Sequence, residues 1–137
     1  QIALLQYSPD EQYILAVSQS GVLSKYRIAD SAFCASVNLA EHCNSLYGVY
    51  ADGWSWEFPD DHTLLAISNF GGFLMDLSGE DIKMKAIISQ CVGYDPVHDN
   101  FIVAETDSYS GKPTTIGSFR RYTTEALIQK ANHILSK

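Results

Sequence analysis

The chain has 137 residues, of which 46% are hydrophobic and 18% are charged, and it carries a net charge of −7. A chain of this length and composition can bury one substantial core, which argues against a disordered protein. We therefore expect a single domain over residues 1–137, with a β-structured body at 1–122 and a C-terminal helix at about 124–135.

The acidic residues are concentrated before residue 108. Residues 1–107 contain fifteen acidic and four basic residues, whereas residues 108–137 contain one acidic and five basic residues. An acidic body disfavours nucleic acid as a partner, because attraction to phosphates supplies most of the affinity of such complexes. It favours a basic protein partner instead.

Two further features concern the cellular location. No apolar run reaches the roughly 18–20 residues of a membrane-spanning helix, so a membrane is not expected as a partner. The three cysteines, Cys34, Cys43 and Cys91, are an odd number without a Cys-x-x-Cys spacing. This pattern is typical of reduced thiols and predicts a cytoplasmic protein without a disulfide framework.

In chain order, the first third of the sequence predicts short antiparallel strands. Gly21 lies between two apolar runs, where its tolerance of positive φ suits a hairpin turn. In the strand after this turn, Leu23, Lys25 and Arg27 share one face. The predicted strands cover residues 2–7, 13–18, 22–28 and 33–39, and a polar connector follows at 40–45.

The next section is rich in aromatic residues. Asp52-Gly53 between alternating apolar runs predicts a hairpin. Trp54, Trp56 and Phe58 fall on one face of the strand that follows. Such side chains either anchor a protein partner or join the core, and we expect two of the three in the core.

A central stretch over residues 58–74 is typical of a turn, a strand, a second turn and a second strand. Pro59 fixes φ, and Asp60 accepts a hydrogen bond within its own turn. Residues 64–67 form an apolar run with the length of a buried strand. Gly71-Gly72 then supplies the positive φ values of a tight hairpin.

The last third of the sequence changes from strand to helix. We predict strands at 72–77, 82–89 and 101–104, and a polar loop at 106–113. From Thr124 onward the apolar residues recur with the period of a helix, and Glu125 suits the positive end of the helix dipole. We expect this helix to pack its apolar stripe on a sheet; the stripe consists of Leu127, Ile128, Ala131, Ile134 and Leu135.

The turn and strand of the central stretch occur three times. Tyr7-Ser8-Pro9-Asp10 precedes the strand core Leu15-Ala16-Val17-Ser18, as Phe58-Pro59-Asp60 precedes Leu65-Ala66-Ile67-Ser68. A third copy runs from Tyr94-Asp95-Pro96 to a strand ending at Ala104, and the prolines are 50 and then 37 residues apart. This spacing predicts that Leu65, Ala66 and Ile67 are buried equivalents of Leu15, Ala16 and Val17.

These repeats resemble the blade openings of WD-repeat and related β-propeller proteins. The resemblance covers about three-quarters of the chain, and it departs from the family in lacking a Trp-Asp dipeptide and a Gly-His pair. It implies a mainly β fold of about three antiparallel, blade-like repeats with one C-terminal helix. Because three blades do not close a propeller, an open stack, a partial ring completed by a partner and a compact sandwich all remain open.

Catalytic and metal-binding motifs are missing from the sequence. The four histidines are scattered without metal-ligand spacing, and neither a Gly-x-Ser-x-Gly motif nor a phosphate-binding loop occurs. We therefore predict no catalytic residues, no metal and no cofactor.

The sequence favours a non-enzymatic protein-binding module. Its size and charge are similar to those of bacterial immunity proteins that cover the active site of a basic toxin nuclease, which implies an inhibitor of a basic protein. Two alternatives remain open, a scaffold fragment of a larger β-propeller and a hydrolase that uses turn carboxylates. The predicted partner-binding residues are Asp60, Asp61, Glu80 and Asp81, with Trp54 or Trp56 as a nearby anchor.

Overall fold

The structure is a computed structural model that describes residues 1–42, 54–68, 71–107, 109–110, 112–121 and 124–136. The described residues form eleven strands, one short 3-10 helix and one α-helix. The strands make three antiparallel sheets in chain order, so the predicted mainly β fold with a C-terminal helix is confirmed. No described helix combines the length and the apolar character that a membrane span requires.

The first sheet is a four-stranded meander. Gly21 has a φ of 82°, as the predicted hairpin turn requires. Two strand ends differ from the prediction, because the third strand ends at Arg27 and the fourth is followed by a 3-10 helix over Leu39–His42. The strands are β1 (Ile2–Tyr7), β2 (Tyr13–Ser18), β3 (Val22–Arg27) and β4 (Phe33–Asn38).

The second sheet has the same sequential strand order. Its strands are β5 (Ser55–Asp60), β6 (Thr63–Ser68), β7 (Gly71–Asp76) and β8 (Lys83–Ile88). The predicted turn is confirmed at Asp60, which accepts a hydrogen bond from the His62 N–H, but not at Pro59, which belongs to β5 in an irregular stretch where the register with β6 shifts. Pro59 is tolerated there because β5 is an edge strand.

The glycine pair of the second sheet lies in a strand rather than in the predicted turn. Gly71 pairs with Ser68 and opens β7. A Cβ atom at Gly71 would lie 2.7 Å from the carbonyl oxygen of Ile88, so close strand approach requires glycine here. Residues 69–70 between the strands lie outside the described residues, as do the predicted hairpin at Asp52-Gly53 and Cys43.

The third sheet has three strands, β9 (Cys91–Asp95), β10 (Asn100–Thr106) and β11 (Pro113–Arg120), with β10 in the centre. Of these three strands, the sequence predicts only residues 101–104 of β10. The loop predicted at 106–113 is shorter than expected, because Thr106 ends β10 and Pro113 begins β11. β11 contains many small and polar residues, so its strand conformation follows from pairing with β10 rather than from an apolar alternation.

Two hydrophobic cores lie on opposite faces of the second sheet. The buried residues of the first core, between the first and second sheets, are Leu15, Leu23, Leu39, Leu64, Ala66, Phe73, Met75, Leu77 and Ile82. Those of the second core, between the second and third sheets, are Leu65, Ile67, Ile88, Cys91 and Phe101. Neighbouring residues of β6 therefore enter different cores, as the alternation of strand side chains requires.

The predicted equivalence of β2 and β6 is confirmed. Leu15 and Leu65 are fully buried, and the two residues that follow each of them are buried as well. Leu15 enters the core shared with the second sheet, and Leu65 enters the core shared with the third. Each therefore packs toward the next sheet along the chain.

The turn chemistry also repeats in all three sheets. Asp10, Asp60 and Asp95 each accept a hydrogen bond from the backbone N–H two residues later, at 3.2, 2.9 and 2.9 Å. Such a bond stabilises the turn before the second strand of each sheet. The three sequence copies thus share this hydrogen bond, whereas the connections between their strands, residues 8–12, 61–62 and 96–99, differ in length.

Helix α1 (Thr124–Leu135) has the predicted bounds but not the predicted packing. Leu127, Ile128, Ile134 and Leu135 are 52%, 55%, 62% and 82% exposed, and Ala131 is exposed as well. The prediction that this stripe packs on a sheet is therefore wrong. The period of a helix indicates an apolar face, but it does not determine which surface covers that face.

Candidate functional site

An open cleft of about 730 Å³ lies between the second sheet and the end of the third. The turn between β5 and β6, the strands β6 to β8, the residue after β11 and the first turn of α1 all contribute to it. The lining residues are Asp60, Asp61, His62, Thr63, Leu74, Asp76, Ser78, Lys85, Ala86, Arg121 and Glu125. They include four carboxylates and two permanent cations, so the cleft has an acidic excess.

Arg121 closes one end of the cleft by bridging the second and third sheets. Its guanidinium donates to Asp60 at 2.7 Å and to Asp99 at 3.0 Å. Tyr94 also donates to the Asp99 carboxylate, at 2.5 Å. The Arg121 side chain is only 16% exposed, so these ion pairs are partly shielded from solvent.

The network shifts the pKa values of its members. Burial and the hydrogen bond to Asp99 raise the pKa of Tyr94 to about 12, from 10.0. Partial burial acts to raise the pKa of Asp60, but hydrogen bonds from the His62 N–H, Thr63 and Arg121 outweigh it, and the pKa is lowered. Asp60 is therefore a stable anion that neutralises Arg121.

The opposite wall of the cleft is formed by β7 and β8. Asp76 accepts a hydrogen bond from the Ser78 N–H at 2.8 Å, which lowers the pKa of Asp76, as do the nearby charges of Lys85 and Lys83. Leu74 and Ala86, which pair across β7 and β8, form the apolar floor. The cleft therefore combines an apolar floor with a charged rim.

The predicted partner-binding acids do not form one cluster. Asp60 and Asp61 line the cleft, whereas Glu80 and Asp81 are not among its lining residues. Glu80 forms an ion pair with Arg27 of the first sheet. The Asp81 carboxylate accepts a hydrogen bond from the Ile82 N–H at 2.9 Å. Asp61 and Asp81 are exposed, and a role of all four acids in binding stays a prediction.

The predicted aromatic anchors pack against the first core. Trp54, Trp56 and Phe58 are all half-buried against it, and the Trp54 ring lies 5.8 Å from that of Phe73. The indole Nε1 atoms of both tryptophans are buried and have no hydrogen-bond partner among the described residues. All three side chains thus contribute to the core, and the anchoring role of the tryptophans stays a prediction.

Lys25 is an inter-sheet contact that the sequence reasoning did not identify. The residue is fully buried, and its ammonium donates to the carbonyl oxygens of Leu77 and Gly79, both at 2.5 Å. The Nζ atom also lies 4.0 Å from the centre of the Tyr13 ring. Burial lowers the pKa of Lys25, and the nearby charge of Asp10 is among the groups that oppose this shift.

The sequence carried a partial signal for Lys25 but none for Arg121. Lys25 was predicted on the same strand face as Leu23, which is the buried face, and this placement could have suggested a buried ammonium. The pair Arg120-Arg121 precedes the helix, where flanking charges are common. Nothing in the local sequence distinguishes Arg121, which bridges two sheets, from Arg120, which is exposed.

The chemistry of the described residues and the comparisons with known proteins assign no family. No group of three or more His, Cys, Asp or Glu side chains in the described ranges has metal-binding geometry. No protein-family model matches the chain, and no curated protein matches it significantly.

Proposed function

We propose that this chain is a non-enzymatic protein-binding module and that the cleft between the second and third sheets receives a basic partner. The observation that carries this proposal is the acidic excess of the cleft, which has four carboxylates and two permanent cations. Such a pattern attracts a basic surface, speeds its association and disfavours acidic partners. Asp61 is available to a partner because it is exposed, whereas Asp60 is paired with Arg121.

Inhibition of a basic enzyme, such as a toxin nuclease, is the use that we propose for this binding. The net charge of −7 and the acidic cleft both favour it. Asp60 and Asp76 do not suit the general acid of the hydrolase alternative, because a general acid needs a raised pKa, whereas their pKa values are lowered.

A scaffold role within a larger, β-propeller-like assembly is the second candidate function. The outer face of the first sheet favours it. Leu5 and Tyr7 on β1 and Phe33 on β4 belong to this face and are 60%, 62% and 59% exposed. Because apolar sheet faces ordinarily pack against another layer, a further sheet would suit this face.

A matched pair of charge reversals tests the role of the cleft. Asp61 and Glu11 occupy equivalent turns of the second and first sheets, but Glu11 lines a separate cavity. Asp61→Lys and Glu11→Lys change the net charge equally. Each variant and the wild-type chain are immobilised and incubated with lysate of the source cell, and the retained proteins are identified by mass spectrometry.

We expect the wild type and Glu11→Lys to retain a basic protein. Asp61→Lys should retain about tenfold less of this protein at low salt. Association rates of the purified partner should show the same order. An acidic partner, or equal losses for both variants, would refute the proposal. Unfolding curves of both variants check that the fold is intact.

A further inference from the structure

The outer face of the first sheet carries apolar side chains that stay exposed in the described structure. Two neighbouring rows of side chains cross all four strands on this face; they are Tyr7, Ile14, Tyr26 and Phe33, and Leu5, Ala16, Ser24 and Ser36. Neither row contains a charged residue. The rings of Tyr26 and Phe33 meet edge to face at 5.8 Å, and both are exposed. An uncharged face of this kind is typical of a surface that a further layer buries.

Helix α1 presents a second apolar surface that stays exposed. Its stripe consists of Leu127, Ile128, Ala131, Ile134 and Leu135. A helix of twelve residues is only marginally stable in water unless its apolar face packs against another element. The dimensions of the two surfaces agree, because α1 is about 18 Å long and the four strands of the first sheet span about 14 Å.

The two surfaces belong to opposite ends of the molecule. The first and third sheets pack on opposite faces of the second sheet. α1 follows the third sheet, and its Glu125 lines the cleft between the second and third sheets. A contact between the stripe of α1 and the outer face of the first sheet therefore requires two copies of the chain. Such a contact is heterologous, because it joins different surfaces of the two copies.

The charge distribution favours this contact over contacts between like surfaces. Residues 1–107 contain fifteen acidic and four basic residues, a net charge of −11, whereas residues 108–137 contain one acidic and five basic residues, a net charge of +4. Docking of the C-terminal helix of one copy on the first sheet of another brings opposite charges together. Packing of two first sheets face to face would instead bring two acidic bodies together.

We propose that α1 of one copy docks its apolar stripe on the outer face of the first sheet of a second copy. The helix is then the layer that covers this face, and the sheet is the surface that stabilises the helix. Reciprocal contacts close a dimer, and contacts in one direction only add further copies. Neither the stripe nor the outer face contributes a described lining residue to the acidic cleft, so this association is independent of the proposed function.

Sedimentation velocity of the wild-type chain tests for self-association. We expect the sedimentation coefficient to rise with concentration in the range up to about 1 mM, because association follows mass action. Leu127→Lys and Tyr7→Lys should each weaken the association at least about tenfold, because each places a charge in an apolar contact. An added lysine reduces the net negative charge, so greater repulsion between copies cannot explain a loss.

Two matched controls make the same change in charge outside the contact. Gln129 is exposed on the side of α1 opposite to the stripe, and Gln12 is exposed in the turn before β2. Gln129→Lys and Gln12→Lys should associate as the wild type does. Circular dichroism and unfolding curves of all four variants check that the fold is intact.

A mixture of Leu127→Lys and Tyr7→Lys tests whether the helix of one copy meets the sheet of another. The first variant keeps an intact sheet face and the second keeps an intact helix, so the mixture can form a helix–sheet contact that neither variant forms alone. We expect the mixture to associate at concentrations where each variant alone is monomeric.

Three results would refute the proposal. The first is a wild-type chain that stays monomeric up to about 1 mM, in which case the two surfaces would bind other partners. The second is a mixture that does not associate. The third is association that only one of the two substitutions weakens, because pairing of two helices would leave Tyr7→Lys unaffected and pairing of two sheets would leave Leu127→Lys unaffected.

Discussion

Replacement of Lys25 by methionine tests whether a buried ammonium ties the first sheet to the second. The ammonium donates to two backbone carbonyls at 2.5 Å and lies over the Tyr13 ring. Methionine fills a similar volume and removes the cost of burying a charge, which by itself would be neutral or favourable. However, it leaves the buried carbonyl of Leu77 without this donor, at a cost of about 1–3 kcal/mol, and loses a cation–π contact worth about 1 kcal/mol.

We therefore expect Lys25→Met to lower the free energy of unfolding by about 2–4 kcal/mol. The measurement is urea denaturation at neutral pH, with an unchanged slope against urea concentration. Lys112→Met, at an exposed loop position, makes the same change in net charge and should stay within about 0.5 kcal/mol of wild type. A loss below about 0.5 kcal/mol for Lys25→Met, or a gain in stability, would show that the desolvation cost dominates and that the contact is not a stabilising tie.

Three further predictions concern the second core and its polar border. Leu65→Ala should cost about 2–5 kcal/mol, because the side chain is fully buried, and urea denaturation showing under about 0.5 kcal/mol would contradict this. In the same assay Arg121→Gln should lower the free energy of unfolding by about 1.5–3 kcal/mol, since it leaves the carboxylates of Asp60 and Asp99 without their cation. The control Arg120→Gln, at an exposed position, should be nearly neutral, and equal effects of the two variants would refute the bridging role of Arg121. Because the pKa of Tyr94 is raised, the folded chain keeps a proton that the unfolded chain loses above pH 10.0, and the wild type loses stability as the pH rises. The difference in free energy of unfolding between wild type and Tyr94→Phe should therefore shrink by about 1–2 kcal/mol between pH 10.0 and about pH 12. A difference that is constant over this range, measured by denaturation at fixed pH, would contradict the hydrogen-bond assignment.

Local sequence predicted those parts of the fold that depend on local physics. The strands before and after Gly21 and the helix beginning at Thr124 follow from turn chemistry and apolar period, and both agree with the structure. The repeat of Leu15 at Leu65 also predicted burial correctly, because equivalent strand positions in stacked sheets meet equivalent neighbours.

The remaining features depend on contacts between distant residues. β11 is a strand because β10 pairs with it, and its own residues have little apolar alternation. Likewise, the bridge from Arg121 to Asp60 joins residues 61 positions apart, which no local pattern reveals. For the site, Asp60 and Asp61 are adjacent in the sequence and line one cleft, but no local pattern could show that Arg121 and Asp76 line the same cleft.

The position of the second sheet between two cores has a consequence for local opening. In the described structure, the first and third sheets each share one core with the second, whereas the second sheet contributes to both. In a stack with nearest-neighbour interfaces, an end layer can detach by breaking one interface, but the middle layer must break two. Amide protons of β6 should therefore exchange with solvent only in nearly complete unfolding. Those of β1 and β11 should exchange through partial openings of lower free energy, in which only the first core or only the second core is broken.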